Sequence, residues 1–206
     1  LAGTTVLLTG GGGGIGYEAA RALAYMGART IIAERDAAKG ALARQTIRDE
    51  FPDASVEFYQ IDLSDEQQIL KMYAHIRQTY GTVDVLFHNA AILYMGNVEE
   101  VPAEKWDRSY RVNFRAPLLL TQLFLPQMRA RNAGVVVFVP SSGSAPYMGA
   151  YEIFKTAQVE LCNTLYGELE GTNIQTYAIA PGLVKTETAM REIEIVARRT
   201  RTRFTS

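Results

Sequence analysis

Short apolar runs and longer stretches with three-to-four-residue periodicity alternate along the chain. The short runs predict strands over residues 4–9, 29–34, 55–60, 83–88, 134–140 and 173–179. The longer stretches predict helices over 15–26, 37–50, 65–80, 107–130 and 150–170. In the first helix Ala19, Ala20, Leu23 and Ala24 share one face, as a helix packed on a sheet requires. Strands that alternate with helices imply a parallel sheet covered on both sides. Right-handed crossovers then give the order 3-2-1-4-5-6, a three-layer, doubly wound α/β architecture. Neither an internal repeat nor a linker interrupts the pattern, so residues 1–206 are expected to form a single domain.

Local signals agree with this division. Gly27 and Gly81 follow helical stretches and fit C-terminal caps. Ser64, before Asp65-Glu66-Gln67, is expected to cap the third helix with a capping box. At 206 residues and 48% apolar, the chain can bury a sizeable core. Its net charge of −1 gives no electrostatic case for nucleic acid. The late cluster Arg198, Arg199, Arg201 and Arg203 is expected to be a solvated face or tail. No apolar stretch approaches the ~20 residues of a membrane span, and no signal peptide is seen, so a cytoplasmic location is expected. The single cysteine, Cys162, cannot form an internal disulfide and is expected to pack. His75 and His88 are the only histidines, and no metal-ligand spacing appears. His88 is read as a hydrogen-bonded strand-end residue.

Two features carry chemistry. The first is Thr9-Gly10-Gly11-Gly12-Gly13-Gly14-Ile15-Gly16, set between an apolar strand and an apolar helix. Glycines there let a phosphate approach the backbone, and the helix N-terminus offers free amides and a positive dipole end. Strand, glycine turn and helix together are the context of a dinucleotide site. The second is the pair Tyr151 and Lys155, four apart on one helical face. An ammonium near the phenol is expected to lower its pKa, and an oxidised nicotinamide would add to the effect. The phenol could then act as a general acid or base. The strand ends that should surround a ligand carry Gly10, Glu34, Asp62, Asn89, Ser142 and Pro181.

Taken with Thr9-Gly10-x-x-x-Gly14-Ile15-Gly16 and Tyr-x-x-x-Lys, the chain resembles the short-chain dehydrogenase/reductase family over nearly its whole length. Further matches are Asp62-Leu63, His88-Asn89-Ala90-Ala91, Asn113, Ser141-Ser142 and Pro181-Gly182-Leu183-Val184-Lys185-Thr186. The resemblance implies a Rossmann fold and an oxidoreductase that interconverts a secondary alcohol and a ketone by hydride transfer. It implies a catalytic set of Asn113, Ser142, Tyr151 and Lys155. In that set Lys155 also holds the nicotinamide ribose, and Asn113 holds a water that relays protons to Lys155. Ser142 is assigned to the substrate oxygen, with Ser141 only holding the loop. The resemblance further implies that Gly10, Gly14, Ile15, Gly16, Asp62, Leu63, Asn89, Ala90, Pro181, Gly182, Val184 and Thr186 bind the cofactor, with Thr186 at its carboxamide. Homodimers or homotetramers are common in the family. The family's last strand and helix have no visible counterpart here.

At the end of the second strand, Glu34 lies close to where an acidic group is expected to meet the ribose hydroxyls and repel a 2′-phosphate, whereas Arg35 suits one. The glycine loop carries no basic residue, so NAD(H) is favoured over NADP(H). Ser142 and Tyr151 are nine residues apart, closer than in the family, so the wall of the substrate pocket is reshaped. Tyr94, Met95, Tyr147 and Met148 are expected to line it, which suggests a small apolar or aromatic alcohol or carbonyl compound. The alternative is a non-catalytic NAD(P)-binding sensor or scaffold on the same fold.

Overall fold

A computed structural model describes residues 1–141, 143 and 145–200, the last six only in part for side chains. Six parallel strands form one sheet: β1 (Thr5–Thr9), β2 (Arg29–Glu34), β3 (Val56–Gln60), β4 (Val85–His88), β5 (Gly134–Phe138) and β6 (Ile174–Ala178). Their order is β3-β2-β1-β4-β5-β6, as the crossover rule predicts. Among the described residues seven α-helices accompany them: α1 (Gly14–Tyr25), α2 (Ala37–Glu50), α3 (Glu66–Tyr80), α4 (Ala103–Tyr110), α5 (Ala116–Arg131), α6 (Gly149–Glu168) and α7 (Glu187–Thr200).

Side chains alternate across the sheet, so neighbouring residues of one strand enter different cores. Leu7 and Ile31 join Ile69, Met72, Leu120, Phe124, Phe138 and Leu165 beneath α3, α5 and α6. Leu8 and Ile32 join Ala20, Ala24, Ala43 and Ile47 beneath α1 and α2. Cys162 is buried in the first of these cores, as packing requires. Gly27 (φ +83°) and Gly81 (φ +77°) take the left-handed conformation expected just past α1 and α3.

Three expectations are corrected. Asp65, not Ser64, caps α3, accepting from the amides of Gln67 and Gln68 at 2.9 and 3.4 Å. Ser64 is drawn instead to Asp62, to which its amide and hydroxyl both donate. A helix not foreseen from the sequence, α7, follows the Pro-Gly turn. Thr186 Oγ1 accepts from Ala189 N at its start, 3.2 Å away.

The third correction concerns the helix expected over 107–130. It is interrupted between α4 and α5 by a π-helical turn, Arg111–Arg115. The cause is Pro117. It has no N–H to give the Asn113 carbonyl, and its ring crowds that carbonyl. The ladder slips by one residue, and Ala116 N bonds Arg111 O.

Phe124 is fully buried and meets Tyr73 edge-on at 4.9 Å between ring centroids. Phe124→Ala should cost about 3–5 kcal/mol. Urea unfolding should show a lower midpoint with an unchanged slope.

Candidate active site

The site is assembled where β1, β2, β4 and β5 end. Gly10 takes φ +72°, and a Cβ there would lie 2.6 Å from Ala90 Cα, so only glycine lets the turn rest on the end of β4. Gly16 is equally confined, against Gly10 O and Asn89 Nδ2. Asn89 fastens the turn: Nδ2 donates to Thr9 O at 3.2 Å and Gly10 O at 2.9 Å. The amides of Asn89 and Ala90 both donate to Thr9 Oγ1. Gly14 begins α1, with Thr186 beside it, so the segment after β6 reaches the glycine loop. Among the described residues no side chain caps α1, which leaves its first amides and positive dipole end available to an anion. Ile15 is half-buried there.

Glu34, at the end of β2, accepts from Gly12 N at 3.3 Å, Arg35 N at 2.7 Å and Asp36 N at 3.0 Å. Its carboxylate thus stands at the mouth of the glycine loop, while Arg35 is exposed. Asp62 follows β3, with Leu63 buried behind it. Burial works against the Asp62 carboxylate, but Ser64 and Arg108 outweigh it and hold its pKa below the usual carboxylate range. The Arg108 contact, 2.7 Å, spans from α4.

Asn113 lies in the π-turn, fully buried. Its carboxamide brackets Ile92, accepting from its amide at 3.0 Å and donating to its carbonyl at 2.9 Å. It also donates to Ser109 Oγ, which in turn donates to Ala150 O. The Asn113 carbonyl freed by Pro117 accepts from Gln158 Nε2 on α6. Two residues that sequence reasoning passed over, Ser109 and Gln158, therefore lock α4 and the π-turn to the helix that carries Tyr151 and Lys155.

Lys155 is 1% exposed, and its Nζ has no hydrogen-bond partner among the described residues. Burial pulls its pKa from about 10.5 down to about 7, with Glu152 acting in the opposite direction. Burial pushes the Tyr151 phenol up to about 12; Glu152 adds to this, and the Ser141 hydroxyl opposes it. The expected lowering of the Tyr151 pKa is therefore not found. The nearby amine is itself close to losing its charge, and a carboxylate lies beside both groups. Glu152 is buried in the first turn of α6, and accepts from Ser141 Oγ at 2.8 Å and Gly143 N at 3.2 Å. Ser141 ties the loop to α6, its hydroxyl donating to Glu152 and its carbonyl accepting from Thr156; Ser142 lies outside the described residues.

His88 ends β4, as read, and is buried, stacking on Phe138. Its Nε2 lies 3.1 Å from Thr121 Oγ1, whose own proton goes to Pro117 O. Nε2 therefore carries the ring proton, and burial with the nearby Lys155 charge lowers the ring pKa to about 3. Pro181, Gly182 (φ +71°) and Val184 form an exposed run leading to Thr186. On the opposite wall Gly96 N donates to Tyr147 O at 2.8 Å, bringing the Tyr94–Met95 segment to the short loop before α6. Tyr147 has φ +69°, unusual for a side-chain-bearing residue. Arg201 and Arg203, and the side chains of Arg198 and Arg199, lie outside the described residues.

Glycine turn, buried Lys155 and Tyr151 at parallel strand ends define a dinucleotide-dependent class of α/β protein. Residues 4–195 match the family model for short chain dehydrogenases, and the chain belongs to that family of oxidoreductases. It is 32% identical over 189 residues to an uncharacterized oxidoreductase of Thermotoga maritima, covering 90% of this chain and 73% of that one. It is 32% identical over 190 residues to human dehydrogenase/reductase SDR family member 4, covering 90% and 68%. Among solved structures, a metagenomic short-chain oxidoreductase in complex with NADP superimposes with a TM-score of 0.84 at 27% identity, covering 100% and 94%.

Lys155 yields a stability test. In the unfolded chain the amine keeps its proton to about pH 10.5; in the fold it loses it at about 7. The unfolded state binds more protons in this window, so stability rises with pH from about 7 toward 10.5 and the penalty is full below 7. Lys155→Met should therefore raise the urea midpoint of the cofactor-free protein at pH 6, by more than at pH 10. An equal shift at both pH values would show that Lys155 is not buried as a charge.

Proposed function

We propose that the protein is an NAD(P)-dependent oxidoreductase that interconverts a secondary alcohol and a ketone, with NAD(H) preferred. The observation that carries this reading is the buried, unpartnered Nζ of Lys155 one helical turn from Tyr151. A buried amine without a partner is costly, and a ribose hydroxyl is the partner that fits both its chemistry and its place. Gly10, Gly14, Ile15 and Gly16 would hold the pyrophosphate, with Asp62, Leu63, Asn89 and Ala90 along the adenosine. Pro181, Gly182, Val184 and Thr186 would lie beside the nicotinamide. When bound, the nicotinamide supplies or accepts the hydride.

Tyr151, a phenol that is protonated at neutral pH, gives its proton to a carbonyl oxygen in reduction and takes it back in oxidation. A serine hydroxyl, Ser142 or the adjacent Ser141, steadies the charge that develops on that oxygen. Asn113 holds the Ile92 backbone and the α4–α6 contact, and through them the floor of the site. Glu34 supports NAD(H): its carboxylate, at the end of β2 beside the glycine loop, would repel a 2′-phosphate, and it also accepts from Gly12 N. Arg35 and the NADP-bound relative favour the phosphorylated cofactor. The substrate is taken to be a small apolar or aromatic compound, from Tyr94, Met95, Tyr147 and Met148. A cytoplasmic homodimer or homotetramer is the working assembly.

Side-by-side titrations with NADH and NADPH, followed by nicotinamide fluorescence, should give at least about tenfold tighter NADH binding, about 1.4 kcal/mol. Glu34→Ala should erase that difference; a preference for NADPH would overturn the cofactor assignment. On a panel of ketones and alcohols, Tyr151→Phe should lower turnover by about 10²- to 10⁴-fold, with cofactor affinity nearly intact. Unchanged turnover would remove Tyr151 from the mechanism.

A further inference from the structure

Asp62 is held on every side but one. Its amide donates to Gln68 Oε1 at 3.0 Å, and its carbonyl accepts from Asp65 N at 3.1 Å. Buried Ile61 and Leu63 flank it, so its backbone is fixed between β3 and α3. Within the carboxylate, Oδ1 accepts from Ser64 N at 2.9 Å and Ser64 Oγ at 2.7 Å, and Oδ2 accepts from Arg108 Nη2 at 2.7 Å. A carboxylate has about four acceptor positions, so one stays open, on Oδ2. The side chain is 27% exposed, enough for a ligand to reach it. Burial opposes the charge, but Ser64 and Arg108 keep the group ionised, and an ionised carboxylate can only accept. Whatever fills the open position must therefore donate a hydrogen.

Arg108 reaches this carboxylate from α4, 46 positions along the chain. The helix does not depend on that contact. Ser109, the next residue, is fully buried, donates to Ala150 O and accepts from Asn113 Nδ2. Beyond α4, Arg115 donates to the Glu66 carboxylate at 2.8 and 3.3 Å and ties the π-turn to the start of α3. The Asp62–Arg108 pair is also too exposed, at 27% and 36%, to contribute much stability. A guanidinium has five N–H groups in one plane, so Arg108 keeps donors beyond the one given to Asp62.

The two side chains thus offer an acceptor and donors side by side, with no net charge between them. A phosphate would meet the carboxylate and be repelled. The arrangement suits a neutral heterocycle edge with an amino group next to an unprotonated ring nitrogen. We propose that Arg108 is a further cofactor-recognition residue: the amino group donates to Asp62 Oδ2, and the neighbouring ring nitrogen accepts from the Arg108 guanidinium. Adenine carries such an edge. A 6-oxopurine does not, because its carbonyl oxygen would face the carboxylate acceptor to acceptor. This rests on the adenosine half of the cofactor lying along Asp62, as proposed above.

Fluorescence titration of the cofactor-free protein tests this without turnover. The probes are NADH and reduced nicotinamide hypoxanthine dinucleotide, in which an oxo group replaces the purine amine. NADH should bind at least about tenfold tighter than the hypoxanthine form. Arg108→Met, similar in length and without donors, should bring the two within about threefold, mainly by weakening NADH. Arg108→Lys keeps a charge beside Asp62 and guards against a loss of folding. Lacking the planar fork, it should also lose most of the preference. An arginine that only braces α4 predicts both dinucleotides weakened alike, with their ratio kept, and that result overturns the role of Arg108.

Asp62→Ala separates this role from the placement beneath it, and should abolish the preference as well. If it does so while both Arg108 variants keep the preference, only Arg108 is overturned. If no variant changes the ratio, or the unaltered protein shows no preference, the adenosine does not lie along Asp62 and the placement itself is overturned.

Discussion

A single missing hydrogen, the one Pro117 lacks on its nitrogen, organises much of the site. It leaves the Asn113 carbonyl without a partner in its own helix, and the backbone widens into the Arg111–Arg115 π-turn. That carbonyl is then free to accept from Gln158, so α6 is keyed to the turn by a buried hydrogen bond. The same widening aims the Asn113 carboxamide at Ile92, just beyond the end of β4. Thr121 returns to the Pro117 carbonyl and also receives His88, fixing that ring at the base of the site. One proline thus registers α4, α6 and the loop after β4 against one another.

Around this frame the protein tolerates a dense set of buried polar groups. Asn113, Ser109, Gln158, Glu152, Lys155 and His88 all lie within or beside the apolar core. Most meet the requirement that a buried polar atom be paired. Lys155 Nζ, His88 Nδ1 and Gln158 Oε1 have no hydrogen-bond partner among the described residues, and of these three only the Lys155 amine bears charge near neutral pH. That the one of them able to carry charge near neutral pH is left without a partner gives the functional reading its force.

Much of this was legible in the sequence. Every strand, the order of the sheet and the helices over 15–26, 37–50, 65–80 and 150–170 followed from periodicity, because a sheet covered on both faces leaves a strong apolar signature. The break at Pro117 was written in the chain but was overridden by the apolar run around it. Ser64 was misread because a hydroxyl and a carboxylate are both good caps, and only the fold shows that Asp62 claims the serine. In the site, the glycine turn and the Tyr151–Lys155 pair could be read because their chemistry depends on spacing. Glu152, Gln158 and Arg108 could not: each is an ordinary helix residue whose meaning comes from a partner 9 to 46 positions away. The acid at the start of α6 was the one available hint.

Lys155 has a consequence beyond chemistry. A fold that strands an amine in its interior is least stable when that amine has nothing to meet. Any ligand that satisfies it draws the population toward the folded state by mass action. The empty form is then the one that opens most often and that a protease finds first. The lifetime of this protein in a cell would accordingly follow the supply of its small-molecule partner, with no separate sensing element required.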